Sequence, residues 1–174
     1  MNRYFINIFL ILGSFILSGC HYKGGYPINQ TNIKTISVLP AKIEAIVPQA
    51  STPLTRQIRN NLLQNSIKLA SNETADAILE TSIINYGRSI GSVEEYDTDV
   101  AKTLSLNATI RCSLKHRISG KYYFKDQTFS ASININANNL AQAIEYQRLP
   151  QLTEKLAKKV SNFILNTDST PIIK

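Results

Sequence analysis

The most regular stretch of the chain is residues 103–115. Leu104, Leu106, Ala108, Ile110, Cys112 and Leu114 hold every even position, and Thr103, Ser105, Asn107, Thr109, Arg111, Ser113 and Lys115 every odd one. A period of two sends successive side chains to opposite faces of a strand, so one face is buried and the other polar. Ser119-Gly120 turns the chain. Residues 122–133 form the next strand, with Phe129, Ala131 and Ile133 opposed to Thr128, Ser130 and Ser132. Residues 75–86 read as a strand preceding these two. It carries Ala77, Leu79 and Ile83 on one face and Ile78 and Ile84 on the other, which predicts a central strand or one that leaves the core partway. Residues 33–39, closed by Pro40, predict a short first strand, and residues 41–51 a loop.

Two stretches follow the helical period. Thr52-Pro53 opens the first, with Thr52 suited to the N-cap and Pro53 to the first helical position. Leu54, Ile58 and Leu62 follow at i, i+4 and i+8, and Leu63 widens the stripe, while Arg56, Arg59, Asn60 and Gln64 face outward. This helix ends near Ser66. After an Asn-rich break at 134–139, Leu149, Leu152, Leu156, Val160, Phe163 and Ile164 make a second stripe, with Pro150 marking its first turn or a kink. Glu154 and Lys158 are an i,i+4 ion pair on its outer side. The resulting order is β-α-β-β-β-α. Strands two to four make an antiparallel meander whose apolar face both helices can cover, an α+β two-layer sandwich.

The first 19 residues stand apart. Arg3 precedes an apolar run from Tyr4 to Leu12, broken by Asn7 and continued by Phe15, Ile16 and Leu17. The run is shorter than the ~20 residues of a membrane span and ends in small residues, as an export signal does. Leu17-Ser18-Gly19-Cys20 resembles a bacterial lipobox, in which the Cys thiol accepts the acyl group and cleavage falls just before it. A plain secretory signal that happens to hold a Cys is the blander reading. With lipidation, residues 1–19 are the signal peptide, 20–32 a lipidated tether, 33–166 a single domain and 167–174 a polar tail. Several acyl chains, at about 0.8 kcal/mol per buried CH₂, anchor such a chain firmly. His21, rather than Asp, follows Cys20, which resembles a lipoprotein sorted onward to the outer membrane.

Composition narrows the chemistry. At 174 residues the chain fits one domain and is too short for a TIM barrel of roughly 250 residues. Its two Cys make no disulfide scaffold, and with Cys20 lipidated, Cys112 remains as a small core residue. No metal-ligand spacing, P-loop or dinucleotide fingerprint is present, so no cofactor is expected. Gly87-Arg88-Ser89-Ile90-Gly91 spells a nucleophile elbow. That motif, however, needs a strand, a sharp turn and then a helix. Here an acidic loop and another strand follow, and His116 is the lone candidate base within the fold.

The formal net charge is +7. Arg111, Lys115, Arg117, Lys121 and Lys125 cluster about the third and fourth strands. They make either a solvated sheet face or a surface attracted to anionic glycolipid and membrane headgroups. Nucleic acid is not an expected partner outside the cytoplasm. Beside these cations, Thr103, Ser105, Asn107, Thr109, Ser113, Ser130, Ser132 and Asn134 are small and uncharged. Such a face suits enclosure in a polar cavity, such as the lumen of an outer-membrane β-barrel, and equally suits water.

The chain resembles the LptE family of lipopolysaccharide-assembly lipoproteins. The likeness begins at Gly19-Cys20 and the short arm containing Tyr22. It is closest at Pro53-Leu54-Thr55-Arg56 with Ile58-Arg59-Asn60 and Leu62, where the family has a similar Pro-Leu-(Ser/Thr)-Arg-x-(Ile/Val)-Arg-x-x-Leu helix. It continues through Ser105-Leu106-Asn107-Ala108-Thr109 and the closing amphipathic helix. The resemblance implies a non-enzymatic plug inside an LptD barrel, which assists barrel assembly and, with its partner, inserts lipopolysaccharide into the outer leaflet. Family members can carry a basic glycolipid-contacting residue in the loop between the second and third strands. Here that loop is acidic, with Glu94, Glu95, Asp97 and Asp99. Arg88 and Lys102 are the nearest basic residues, and with Arg111, Lys115 and Arg117 they form the candidate contact set for lipopolysaccharide. Two other functions fit a small lipoprotein of this fold: a regulator activating a periplasmic cell-wall synthase, and a lipid-anchored esterase using Ser89.

Overall fold

A computed structural model describes residues 33–45, 49–93, 101–136 and 141–167, without the side chains of 91–93, 101–102, 136 and 141–144. The signal segment, Cys20, the 20–32 tether, the acidic residues at 94–99 and the tail from 168 lie outside the described residues.

The elements are β1 (Thr35–Val38), β2 (Lys42–Ile43), α1 (Ser51–Gln64), β3 (Lys68–Leu69), β4 (Ala77–Val93), β5 (Ala101–His116), β6 (Tyr122–Asn136) and α2 (Ala141–Leu165). They build one mixed sheet in the order β3-β1-β4-β5-β6, with β2 pairing β4. β4, β5 and β6 are the expected antiparallel meander. β1 runs parallel to β4, with α1 between them in sequence as the crossover that parallel strands require. The α+β class and the two helices against one sheet face are as the pattern predicts. The two-residue strands β2 and β3 are additions, too short to show a period.

α1 buries Leu54, Ile58 and Leu62 completely. Leu63, expected to widen that stripe, is instead 52% exposed. It lies nine residues after Leu54, half a turn round the helix. Thr52 is not the N-cap. The helix begins at Ser51 after Ala50, with no side-chain cap. Its first turn is tied to the β1–β2 connection instead. Ser51 Oγ donates to the Ala41 carbonyl at 2.6 Å, and the Ala41 N–H donates to Thr55 Oγ1 at 3.0 Å. Pro53 is therefore the third helical residue, still among those whose N–H has no acceptor within the helix.

In α2, Leu149, Leu152, Leu156, Val160 and Ile164 are buried as the stripe predicts. Pro150 lies inside the helix rather than in its first turn. Phe163 packs edge-on against Phe124 and Phe129 of β6, with ring centroids 5.1 and 5.4 Å away. On the sheet, Leu106, Ala108, Ile110, Cys112 and Leu114 are all buried. Each large side chain so buried contributes about 1.5–3 kcal/mol relative to exposure.

Candidate functional site

Among the described residues, the register divides the sheet into a helix-covered face and a helix-free face. On the free face, Ser89 lies opposite Ser105, which lies opposite Asn134; Gly87, Asn107 and Ser132 make the next row, and Asn85, Thr109 and Ser130 the one after. Neighbouring side chains bond to one another: Asn107 Nδ2 donates to Ser89 Oγ at 2.9 Å, and Thr109 and Ser130 share a hydroxyl bond of 2.9 Å. The expected small polar surface is thus assembled across three strands.

Further along the same face is a recess of about 180 Å³ bounded by Lys42, Glu44, Glu80, Arg111, Ser113 and Asp126. Arg111 Nη1 sits 3.6 Å from Glu44 Oε2, with both side chains more than two-fifths exposed. Lys115 Nζ is 2.5 Å from Glu80 Oε1, and this hydrogen bond raises the lysine's pKa from its ordinary value. Asp126 takes a left-handed backbone, φ 53°, where the β5–β6 register shifts, and its N–H donates to Ser113 Oγ at 2.9 Å.

The five candidate cations do not converge. Arg111 and Lys115 share the free face, each beside a carboxylate. Arg117 follows β5, with Nε donating to the Ala75 carbonyl at 2.7 Å. Lys102 is the second residue of β5, and its side chain lies outside the described set. Arg88 falls five residues short of the end of β4. It stands inside β4, and it faces the helix side. The cause is a bulge between Ile83 and Asn85, where Ile84 has no partner on β5. One extra residue reverses the alternation of everything beyond it. Tyr86 and Arg88 consequently meet Glu145 of α2, 3% exposed, and both donate to its carboxylate. Burial first, and then the bond and charge of Glu145, push the Tyr86 hydroxyl pKa well above its ordinary value.

The same extension of β4 removes the nucleophile elbow. Gly87 to Gly91 lies within the strand, where the motif needs a sharp turn at the serine. Ser89 pairs with Ser105, and His116 lies eleven residues further along β5. At ~3.4 Å per residue that is roughly 37 Å, far beyond hydrogen-bond reach.

Sequence reasoning missed Lys42 and Glu44, which β2 brings to the recess, and Tyr86 with Glu145. β2 has too few residues to show a period. Glu145, on the other hand, has a sequence signal: it lies four residues before Leu149 on the buried stripe, and a carboxylate there needs a partner.

Fold and surface together define an α+β sheet protein, with one sheet face packed against two helices and the other a small polar surface with a charged recess at one end. Residues 33–164 match the family model described as LptE: Lipopolysaccharide-assembly, and the chain belongs to that family. No curated protein matches the chain. Solved structures share the fold at low identity. A minor lipoprotein from Acinetobacter baumannii has a TM-score of 0.53 at 16% identity, covering 76% of this chain and 93% of that one. An uncharacterized lipoprotein B from Nitrosomonas europaea has 0.52 at 13%, covering 80% and 87%. A protein from Xanthomonas campestris has 0.58 at 9%, covering 81% and 88%.

Proposed function

We propose that this chain is a non-enzymatic lipoprotein of the outer membrane, anchored through acyl groups on Cys20 and facing the periplasm. It plugs an LptD-like β-barrel, helps that barrel assemble and helps insert lipopolysaccharide into the outer leaflet. Family membership supports the assembly role. The observation that carries the plug is the three-strand platform of Ser, Thr and Asn side chains on the helix-free face. Such side chains cost far less to desolvate than charges, and the interior of a large membrane barrel is itself polar.

Arg111 is the best placed of the candidate glycolipid contacts. Its 3.6 Å approach to Glu44 is loose and exposed, so a phosphate can replace that carboxylate with little loss. Arg88 is held by Glu145 on the other face and is the weakest of the candidates whose side chains are described.

The test is affinity recovery of the tagged lipoprotein from detergent extracts. A large barrel protein should co-purify, and depletion of the lipoprotein should lower surface lipopolysaccharide. Recovery of a cell-wall synthase in its place, with surface lipopolysaccharide unchanged, overturns the reading. Cys20→Ala should release the protein from the membrane fraction.

A further inference from the structure

Among the described residues, β6 is the last strand of the sheet, and it is 15 residues long. The outer side of such a strand offers backbone donors and acceptors to any extended chain, and proteins commonly blunt it with lysines. Here α2 supplies them. Lys155 Nζ donates to the Ser132 carbonyl at 3.0 Å, and Lys159 Nζ to the Ser130 carbonyl at 2.6 Å. Carbonyls two residues apart share one side of a strand, so both ammonium groups sit on the same edge. Each belongs to an exposed, flexible side chain. Its hold on a carbonyl gives way to a backbone N–H without burying an unpaired charge, since the ammonium returns to water.

We propose that the outer edge of β6 is a strand-addition site for an extended acidic segment of a partner polypeptide. The incoming backbone pairs with Ser130 and Ser132. Lys155 and Lys159, displaced from the two carbonyls, turn onto its carboxylates. Charge selects the partner. Lys125 adds a third cation on β6 itself, whose one acid is Asp126, and Thr128, Ser130, Ser132 and Asn134 are uncharged. A second copy of this chain fits poorly, because antiparallel pairing of β6 with itself over Ser130 to Ser132 lines four lysines along one seam. This site concerns the sheet edge rather than the open platform, and it does not depend on the barrel reading.

The test uses the isotope-labelled full-length protein in detergent micelles with two nonapeptides, one alternating Thr and Glu and one alternating Thr and Lys. The acidic peptide should slow amide exchange at Ser130 and Ser132 about tenfold or more, and the basic peptide should not. The double variant Lys155→Glu/Lys159→Glu should bind the acidic peptide about fivefold or more weakly and gain affinity for the basic one. Ser132→Pro removes an outward N–H, which an edge strand tolerates, so the fold should persist while peptide protection is lost. Absence of protection at saturating acidic peptide overturns the proposal. So does equal protection by both peptides, or protection without peptide that rises with protein concentration. Unfolding of Ser132→Pro overturns it too, because that N–H would then belong to the β5–β6 ladder.

Discussion

Arg88 of β4 donates to Glu145 of α2, fifty-seven residues away in sequence. The contact joins the first half of α2 to the part of β4 that lies beyond the bulge. It also consumes a cation that the sequence suggests for ligand contact. Removing the cation should cost more than removing the carboxylate, because it leaves the buried Glu145 carboxylate with the Tyr86 hydroxyl alone, whereas the half-exposed Arg88 side chain can return to water. Glu145→Ala leaves the Tyr86 hydroxyl without its acceptor and should lower stability by about 1–3 kcal/mol. Arg88→Ala should cost about 3–5 kcal/mol. Urea titrations of both variants check the order; equal losses contradict it.

A second prediction concerns acid. Asp76 Oδ2 accepts the N–H groups of Thr35 and Lys34 at 2.9 and 3.1 Å, holding the entry to β1. Burial raises its pKa, but the Thr35 side chain and these backbone bonds outweigh that, and the folded value lies below the ordinary 3.8. A carboxyl whose folded pKa is depressed contributes stability that is fully present above its unfolded pKa and lost as pH falls through the folded one. Asp76→Asn should therefore be less stable than the parent by a constant amount, about 1 kcal/mol after allowing for exposure, from pH 5 to 7. The gap should close below pH 3.8. Thermal melts across pH 2.5–7 decide; a gap that widens in acid would be the wrong sign.

Cys112 is fully buried, and burial pushes its thiol up to about 12, the Thr81 hydroxyl at 3.6 Å opposing only in part. The thiolate is the reactive form. Alkylation of Cys112 in the folded protein should therefore proceed only as fast as the chain opens, rising with urea in step with unfolding. Rapid labelling in native buffer would show that the β5 core face is accessible.

The helix-to-sheet core gives the largest expected loss. Leu152 is completely buried and, with Ile110 and Leu54, borders a narrow apolar gap between both helices and the sheet. Leu152→Ala enlarges that gap in a site with little freedom to collapse, for about 2–5 kcal/mol. Leu63→Ala, half a turn from its helix's buried stripe, should cost under about 0.5 kcal/mol. Denaturant midpoints of the two variants measured side by side test the assignment of faces.

The meander, both helices and the buried face of β5 are legible in the sequence, because burial on one side imposes a period on the residues themselves. Leu104 to Leu114 and Leu149 to Ile164 show this. The small polar platform is legible for the same reason, as the other half of that alternation. The lipobox-like run from Leu17 to Cys20 and the Pro53-to-Leu62 motif are local patterns that need no partner in space. Tertiary structure alone decided the rest. A single unpaired residue, Ile84, turned Arg88 from the open face to Glu145, and nothing in a strand's own period marks where a bulge falls. Two-residue strands exist only through the neighbours they pair with, so the recess that Lys42 and Glu44 help to wall follows from parallel pairing with β4. The lysine-capped edge likewise needs α2 laid along β6, an arrangement fixed by Phe163 against Phe124 and Phe129 rather than by any pattern in β6 itself.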